Sequence, residues 1–237
     1  LAVEEKTTAY DVRTKADTEA EQAILKVLEA AFPQYSIFAE EQGMVDKHSE
    51  YCLIVDPLDG SHDFVLGVPY FSISIALYKG KEALIGVVYN PILDTMYSAV
   101  RGKGAFMNGK AVHVNREDKR ERAVISYNCG YGMSREDHAV VFNALYGRGF
   151  ARLVNFWSSA LDLSLIAQGK IHAMVFHQGP LYDFAAGKLI AREAGAKITD
   201  FAGAPERDDT NNEFIISNGT AIHDEVVNVL KEIQENT

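Results

Sequence analysis

Two carboxylates, Asp56 and Asp59, follow an apolar run of strand length and directly precede a Gly-Ser pair. The run at residues 51–55 is rich in β-branched and large apolar side chains, which is typical of a buried strand. Pro57 cannot extend a central strand, so the strand is predicted to end at Asp56. The Asp56 side chain is then expected to project at a sheet edge, where the sites of α/β proteins form.

The residues after Asp59 are suited to hold an anion. Gly60 permits a close backbone approach, and the amides of Gly60, Ser61 and His62 are expected to point at an anion from the start of a short helix. Mg²⁺ binds a few carboxylates and completes its octahedron with water and phosphate oxygens. Carboxylates beside an anion cradle therefore indicate magnesium-assisted phosphate chemistry.

Three further carboxylates lie at predicted element boundaries: Asp17 before the first helix, Glu40 at the end of a strand, and Asp183 at the start of a later helix. Each also has a simpler role. Asp183 is a good helix N-cap, Glu40 is typical of a solvated loop charge, and Asp17 is typical of a residue near a helix cap. Their candidacy as site residues depends on the segment that holds Asp56 and Asp59.

The elements that position these groups follow from hydrophobic periodicity. Residues 18–32 form an amphipathic pattern, and Thr18 with Glu21 makes a capping box, so a helix is predicted to start at Thr18, just after Asp17. A strand at 36–39 leads to Glu40. Residues 1–122 are thus predicted to form an N-terminal α+β half that carries most metal ligands. Its sheet is expected to be largely antiparallel, with strands at 71–78, 83–89, 95–100, 104–107 and 110–114.

From residue 123 onward strands and helices alternate, which indicates an α/β layer. Strands are predicted at 123–127, 151–155, 171–176, 196–199 and 213–217. Helices are predicted at 138–146, 159–167, 184–194 and 222–233. Residues 123–237 are therefore expected to form a C-terminal α/β half that carries Asp183 and substrate-side residues. The two halves are expected to stack as layers of one compact catalytic unit.

The bulk composition narrows the function classes. Hydrophobic residues make up 47% and charged residues 24% of the chain, and the formal net charge of −10 argues against a nucleic-acid-binding surface. No apolar run approaches the ~18 residues of a membrane span, and no signal peptide is recognisable. The chain begins at Leu1 rather than Met, which indicates a trimmed or incomplete start. Cys52 in a strand and Cys129 in a loop-like segment are expected to be reduced thiols of a cytoplasmic protein.

Three segments carry a resemblance to a known family: Ala39-Glu40-Glu41, Asp56-Pro57-Leu58-Asp59-Gly60-Ser61 and Tyr182-Asp183-Phe184-Ala185-Ala186-Gly187. In this order they resemble the inositol monophosphatase family of Mg²⁺-dependent, lithium-sensitive sugar phosphatases. Supporting matches lie at residues 14–17, 158–163 and 195–200, and the similarity covers roughly residues 11–218. The resemblance implies a layered αβαβα sandwich, a homodimer, and phosphomonoesterase activity on a small phosphorylated sugar or polyol.

The resemblance also implies two to three Mg²⁺ ions per active site. Carried across by position, Glu40, Asp56 and the Leu58 carbonyl would hold the first ion. Asp56, Asp59 and Asp183 would hold the second, so Asp56 would bridge the two. Glu40 would hold a weaker third ion, largely through water.

The catalytic water has predicted partners of its own. Asp17 and Ser61 match the pair that orients the attacking water in the family, so Asp17, Ser61 and Glu40 are the predicted catalytic residues. Metal ions that clamp the attacking and leaving oxygens make a protein nucleophile unnecessary, and no covalent phosphoenzyme is expected.

The predicted substrate contacts lie around the same segments. The Gly60 and Ser61 amides are expected to hold phosphate oxygens, where developing charge makes them most effective. The helix start at Ser158 and Ser159 is expected to bind a second anion or a hydroxyl. The predicted set of substrate-binding residues is Asp59, Gly60, Ser61, Ser158, Ser159 and Asp183.

One departure from the family bears on the substrate. The animal inositol enzymes carry a glutamate seven residues before the last aspartate, and this chain carries Phe176 there, which cannot accept a hydrogen bond. The chain is therefore expected to resemble the archaeal and bacterial branch, whose members often hydrolyse both inositol 1-phosphate and fructose 1,6-bisphosphate. The neighbouring Phe156 and Trp157 are expected to pack rather than to recognise substrate.

Two alternative functions stay open. The first is a 3′(2′),5′-bisphosphate nucleotidase of the same superfamily, which needs a basic pocket, and no cluster of Lys and Arg stands near the matched segments. The second is a catalytically silent relative that acts as a binding or regulatory subunit. Loss of a metal carboxylate would mark such a relative, and every matched position retains its carboxylate.

Overall fold

A computed structural model of the chain describes residues 3–5 and 12–235. Within these ranges the helices are α1 (Lys15–Ala31), α2 (Ser61–Leu66), α3 (Arg135–Gly147), α4 (Ser159–Ala167), α5 (Leu181–Glu193) and α6 (Ala221–Glu235). The strands of the first half are β1 (Val3–Glu5), β2 (Val12–Thr14), β3 (Ser36–Ala39), β4 (Gly43–Val45), β5 (Tyr51–Asp59), β6 (Ser72–Lys79), β7 (Glu82–Asn90), β8 (Thr95–Val100), β9 (Ala105–Met107) and β10 (Lys110–Val112). The strands of the second half are β11 (Val124–Cys129), β12 (Arg152–Val154), β13 (Ala173–His177), β14 (Lys197–Thr199) and β15 (Glu213–Ser217).

Most strands of the first half form one large sheet. Its order among the described strands is β10-β9-β8-β7-β6-β5-β3-β4, while β1 and β2 pair separately. The pairs are antiparallel except β3 with β5, which run parallel. The prediction of a largely antiparallel sheet is confirmed, and the parallel pair brings the ends of β3 and β5 to the same edge.

The second half forms a five-stranded sheet in the order β12-β11-β13-β15-β14. Strand β11 runs parallel to β12 and β13, and β15 runs antiparallel to its neighbours. The chain passes from one sheet to the other through residues 113–123, which include a short 3₁₀ turn at Arg120–Arg122.

Three buried apolar clusters give the order of the layers. Helix α1 packs on one face of the large sheet through Leu25, Ile37 and Leu53. Helices α4 and α5 fill the space between the other face of that sheet and the five-stranded sheet. Helices α3 and α6 cover the outer face of the five-stranded sheet. The order is therefore αβαβα, and burial of these apolar faces is the main favourable contribution to folding.

Helix α1 starts earlier than its sequence pattern predicts. Its N-cap is Thr14, whose hydroxyl accepts a hydrogen bond from the Ala16 amide, and the capping box pairs Thr14 with Asp17 rather than Thr18 with Glu21. The prediction that Asp17 precedes the helix was wrong. Asp17 lies in the first turn, where a carboxylate is favoured by the helix dipole.

Strand β5 also runs further than predicted. It continues past Pro57 to Asp59, with a shift in its pairing register against β6 between Asp56 and Asp59. The Leu58 amide donates to Asp56 Oδ1 at 3.0 Å, which holds this bulge. A bulge re-aims side chains and is common beside active sites, so both aspartates reach the same edge.

Both cysteines of the chain are free thiols, as the sequence predicts. In the described part of the chain, none of the helices combines the length and the apolar character that crossing a membrane requires.

Candidate active site

A cleft of about 560 Å³ opens at the edge where β3 and β5 end. Its walls come from both halves of the chain, because α4, α5 and the loop after β11 face the β5–α2 segment. Of the residues predicted for the site, those that line the cleft are Glu40, Asp56, Leu58, Asp59, Gly60, Ser61, Ser159 and Asp183.

Asp56 lies at the centre of the acidic group. It is 2% exposed. Its pKa is raised well above the ordinary aspartate value by burial first, and then by the negative charges of Glu40, Asp59 and Asp183. A buried carboxylate among three others is stable only with a bound proton or a cation. The arrangement therefore favours binding of a cation at Asp56.

The donor atoms of this group suit Mg²⁺. They are carboxylate oxygens and the Leu58 carbonyl, which are the hard oxygen ligands that this ion prefers. Within residues 3–5 and 12–235, no three Asp, Glu, His or Cys side chains form a metal-binding group by themselves. Mg²⁺ usually keeps waters and takes substrate phosphate oxygens, so a partial set of protein ligands fits it.

Asp59 is held from several directions. Its Oδ2 accepts hydrogen bonds from the hydroxyls of Ser72 and Ser158 and from the Ala160 amide, and its Oδ1 accepts one from the Ser159 amide at 3.0 Å. Burial raises the pKa of Asp59 to about 7, and these hydrogen bonds oppose the shift. Because Oδ1 accepts a single bond, it keeps a lone pair for a metal ion.

The N-terminus of α4 contacts Asp59. The helix start at Ser158 and Ser159 was predicted to bind a substrate anion or hydroxyl, but the Ser159 and Ala160 amides point at Asp59 instead. Ser158 is fully buried and its hydroxyl also donates to Asp59, so it lies behind the cleft wall. The N-terminus of α4 therefore positions a carboxylate of this chain, which is the same helix-end interaction directed at a different anion.

Ser61 and Asp17 are in direct contact. The Ser61 hydroxyl donates to Asp17 Oδ1 at 2.7 Å, and the Leu58 carbonyl oxygen lies 3.0 Å from Ser61 Oγ. Asp17 is fully buried, and its Oδ2 accepts from the Thr14 amide at 2.7 Å and from the Thr14 hydroxyl at 2.6 Å. Since the Ser61 proton is directed to Asp17, the lone pairs of Ser61 Oγ are available to accept a hydrogen bond from a water.

Gly60 is required by the turn between β5 and α2. Its φ of 97° is a left-handed conformation, and a Cβ there would lie 2.9 Å from the Tyr70 carbonyl oxygen. Any other residue would be strained at this point. Asp183 likewise owes its place to a helix start, because α5 begins at Leu181 with Pro180 as N-cap. The predicted helix start at residue 184 was wrong, so the simpler role of Asp183 as N-cap does not hold and its carboxylate lies in the first turn.

Two supporting residues were not recognised in the sequence. Glu21, 4% exposed, accepts hydrogen bonds at 2.8 Å from the Glu41 and Gln42 amides and so fixes the turn that holds Glu40. It occupies the buried stripe of α1 one turn after Asp17. A carboxylate in an otherwise apolar stripe was the signal that could have revealed it, because buried charges need partners.

Asp162 is the second such residue. It accepts hydrogen bonds from Tyr70, Ser126 and Asn128, and burial raises its pKa to about 6 against the effect of these bonds. It links α4, β11 and the segment before β6, so it fixes the cleft walls relative to one another.

The part of the cleft lining that lies outside the acidic segments was also missed by sequence reasoning. It carries polar, aromatic and cationic side chains from β11, the loop after it, α3 and the segment before α4: Asn128, Tyr131, Arg135, His138, Asn155 and Trp157. Phe176 also belongs to the lining and is 1% exposed. No motif joins these residues in the sequence, and the topology alone brings them to the site.

Comparison with known proteins shows the family of this chain. A profile of the inositol monophosphatase family matches residues 1–235. A fructose-1,6-bisphosphatase/inositol-1-monophosphatase of Thermotoga maritima is 36% identical over 233 residues, which cover 98% of this chain and 88% of the relative. The chain belongs to the inositol monophosphatase family.

Other relatives in the family agree in fold and differ in name. The solved structure of a T. maritima inositol monophosphatase superposes with a TM-score of 0.88 at 35% identity, covering 99% of this chain and 89% of that one. A Vibrio cholerae protein named Nus factor SuhB is 35% identical over 201 residues, which cover 83% of this chain and 74% of that protein.

Membership of the inositol monophosphatase family confirms three predictions. The fold is the layered α/β sandwich. The protein is a phosphoric monoester hydrolase, and the family depends on Mg²⁺.

Proposed function

We propose that this protein hydrolyses small phosphorylated sugars or polyols, with inositol 1-phosphate and fructose 1,6-bisphosphate as its substrates. The observation that carries the proposal is the acidic group around the buried Asp56, which shares one cleft with Ser61, the residue that donates a hydrogen bond to Asp17 behind the cleft. The name of the T. maritima relative supports both substrates. Phe176 lines the cleft at the position where the animal inositol enzymes carry a glutamate that accepts a hydrogen bond from an inositol hydroxyl. Because phenylalanine cannot accept that bond, it supports a site without strict selectivity for inositol.

The metal-binding residues in this proposal are Glu40, Asp56, Asp59 and Asp183, with the Leu58 carbonyl as a neutral ligand. Together they would hold two to three Mg²⁺ ions, with Asp56 shared between two of them. When bound, the ions supply Lewis-acid stabilisation and make water easier to deprotonate. The raised pKa of Asp56 supports the assignment. Its ionised form is unfavourable without a partner, so a bound cation would stabilise that carboxylate strongly.

The remaining steps belong to the protein itself. Ser61 Oγ orients the attacking water and accepts its proton while it passes its own proton to Asp17 Oδ1, so that Asp17 becomes a neutral carboxylic acid and no charge remains on Ser61. Glu40 completes the catalytic set as a ligand and as an acceptor for a water. The Gly60 and Ser61 amides contact non-reacting phosphate oxygens and stabilise their growing charge.

Several expectations remain part of the proposal. Ser159 and Asp183 face the cleft and are proposed to contact the sugar, whereas Ser158 acts by positioning Asp59. The halves 1–122 and 123–237 are proposed to act as one catalytic unit. The formal net charge of −10 supports a small-molecule substrate rather than a nucleic acid. The family resemblance supports a homodimer in the cytoplasm.

The test is phosphate release from inositol 1-phosphate, fructose 1,6-bisphosphate and adenosine 3′,5′-bisphosphate, each with Mg²⁺ and with excess chelator. We expect turnover of the first two substrates and its loss with chelator. Exclusive turnover of the nucleotide would replace the proposal with a nucleotidase, and no turnover of any phosphoester would indicate a silent relative. Turnover that persists in chelator would contradict the metal-binding assignment.

A pair of variants tests the assignment by residue. Asp56→Asn should nearly abolish turnover, because it removes a charge shared by two ions. Asp63→Asn is the matched control. Asp63 is also a buried aspartate with a raised pKa and lies on the same segment, but it does not line the cleft. It should only weaken turnover, and equal activity of Asp56→Asn and the wild type would refute the assignment.

A further inference from the structure

The sequence predicts a packing role for Trp157, and the structure gives it a different environment. The residue is 49% exposed and lines the cleft together with Ser159. Large aromatic side chains contribute most when they are buried, so a half-exposed tryptophan inside a cleft indicates a contact made by a ligand. Phe156, its neighbour, packs against the Tyr70 ring at 4.7 Å and does not line the cleft.

The position of the Trp157 ring is fixed from both sides of the site. Its ring lies 5.5 Å from the His62 ring, centroid to centroid. The two residues after it reach Asp59 through the Ser158 hydroxyl and the Ser159 amide. The ring therefore stands beside the acidic group, held by contacts to the Asp59–Asp63 segment.

We propose that Trp157 is a specificity-determining residue that stacks on the ring of the sugar or polyol attached to the reacting phosphate. The inference deepens the proposed function and rests on it. An aromatic face carries partial negative charge, and the C–H face of a sugar ring, made positive by its oxygens, is complementary to it. Because the Trp157 ring stands beside the acidic group, it is placed to contact the sugar ring that carries the ester oxygen. A nucleobase would lie further from the reacting phosphate.

This role makes a prediction about ring shape. A cyclic substrate such as inositol 1-phosphate or fructose 1,6-bisphosphate presents a face to Trp157, and the acyclic glycerol 2-phosphate does not. The ratio of kcat/KM for a cyclic substrate to that for glycerol 2-phosphate should fall roughly threefold to tenfold in Trp157→Ala, chiefly through KM. Trp157→Phe keeps an aromatic face and should retain most of the ratio.

Phe156→Ala provides the matched control, because it removes an adjacent, partly exposed aromatic ring that lies outside the cleft. Its ratio should equal that of the wild type. An unchanged ratio in Trp157→Ala, or an equal fall in Phe156→Ala, would overturn the inference. A fall confined to adenosine 3′,5′-bisphosphate would assign the ring to a nucleobase instead.

A binding measurement separates failure of this inference from failure of the proposed function. Trp157 is the one tryptophan of the chain, so its fluorescence reports this site alone. Wild-type protein with Mg²⁺ and inorganic phosphate is titrated with myo-inositol and, separately, with glycerol. Saturable quenching by the cyclic polyol alone supports stacking even if no phosphoester is hydrolysed. If the enzyme is active but its tryptophan fluorescence does not change with either polyol, the stacking inference is wrong and the proposed function is unaffected.

Discussion

Replacement of Asp17 by asparagine distinguishes a catalytic role from a helix-capping role. Asp17 uses both carboxylate oxygens: Oδ2 accepts from the Thr14 amide and hydroxyl, and Oδ1 accepts from Ser61. Asparagine has a single acceptor oxygen and an NH₂ group that only donates. In either orientation, the amide oxygen can accept the hydrogen bonds of Thr14 or the hydrogen bond of Ser61, but it cannot accept both.

The magnitudes follow from these contacts. If the amide oxygen faces Thr14, the NH₂ group occupies a lone pair of Ser61, and proton acceptance from water is lost. General acid–base groups contribute about 10²- to 10⁴-fold to rate, so kcat of Asp17→Asn should fall by roughly that factor. If the oxygen faces Ser61 instead, two donors meet at the cap. Loss of a cap and an unsatisfied buried group each cost about 1–2 kcal/mol of unfolding free energy.

Thr14→Val is the control that separates the two roles. It removes the hydroxyl that accepts from Ala16 and donates to Asp17, yet leaves the Asp17–Ser61 contact in place. Urea unfolding should show a loss of about 1–2 kcal/mol. Initial rates at saturating substrate and Mg²⁺ should show a far smaller fall in kcat than in Asp17→Asn. An equal fall in both variants would show that Asp17 acts through the helix start alone.

Three further predictions concern stability and metal binding. Asp209→Asn should lower the unfolding free energy by about 3–5 kcal/mol in urea unfolding, because the buried carboxylate pairs with Arg101 and Arg192. Lys197→Gln, at an exposed ion pair with Asp224, should cost under ~0.5 kcal/mol; equal losses would contradict this. Burial lowers the pKa of His223 to about 4. The unfolded state therefore binds the extra proton between pH 6.5 and 4, and stability should fall by up to about 3 kcal/mol as the pH drops through that window. A His223→Asn variant with the same pH slope as the wild type would refute this reading. Mg²⁺ at 100 times its Kd should stabilise the fold by about 2.7 kcal/mol in thermal unfolding, and a full response in Asp56→Asn would count against the proposed ligand set.

Local patterns predicted most elements well where propensity and packing agree. The helix Ser159–Ala167 and the strands Ser36–Ala39, Thr95–Val100 and Glu213–Ser217 match their predicted bounds. The start of α1 did not, because residues 14–17 and 18–21 offer equivalent capping patterns. Tertiary contacts decide between them: Asp17 reaches Ser61, and Glu21 reaches the turn after β3. Neither contact is visible in a local window.

The candidate site divides in the same way. Its acidic side was predictable because motif residues sit at the ends of elements whose ends meet. The lining outside the acidic segments was not, because Tyr131, Arg135 and His138 follow no spacing that signals a function. They reach the cleft since β11 pairs in parallel with β13 and the following α3 covers that sheet. Ser158 was misplaced for a related reason, since a helix start can hold a carboxylate of its own chain as well as a substrate.

The grip of α4 on Asp59 has a consequence for the order in which the enzyme is made. During synthesis Asp17, Glu40, Asp56 and Asp59 leave the ribosome early. The amides of α4 that donate to Asp59 follow it by about a hundred residues. Asp183 appears later still. The growing polypeptide therefore carries an incomplete acidic group while residues 60–182 are synthesised, and the group is complete only after Asp183 has been added.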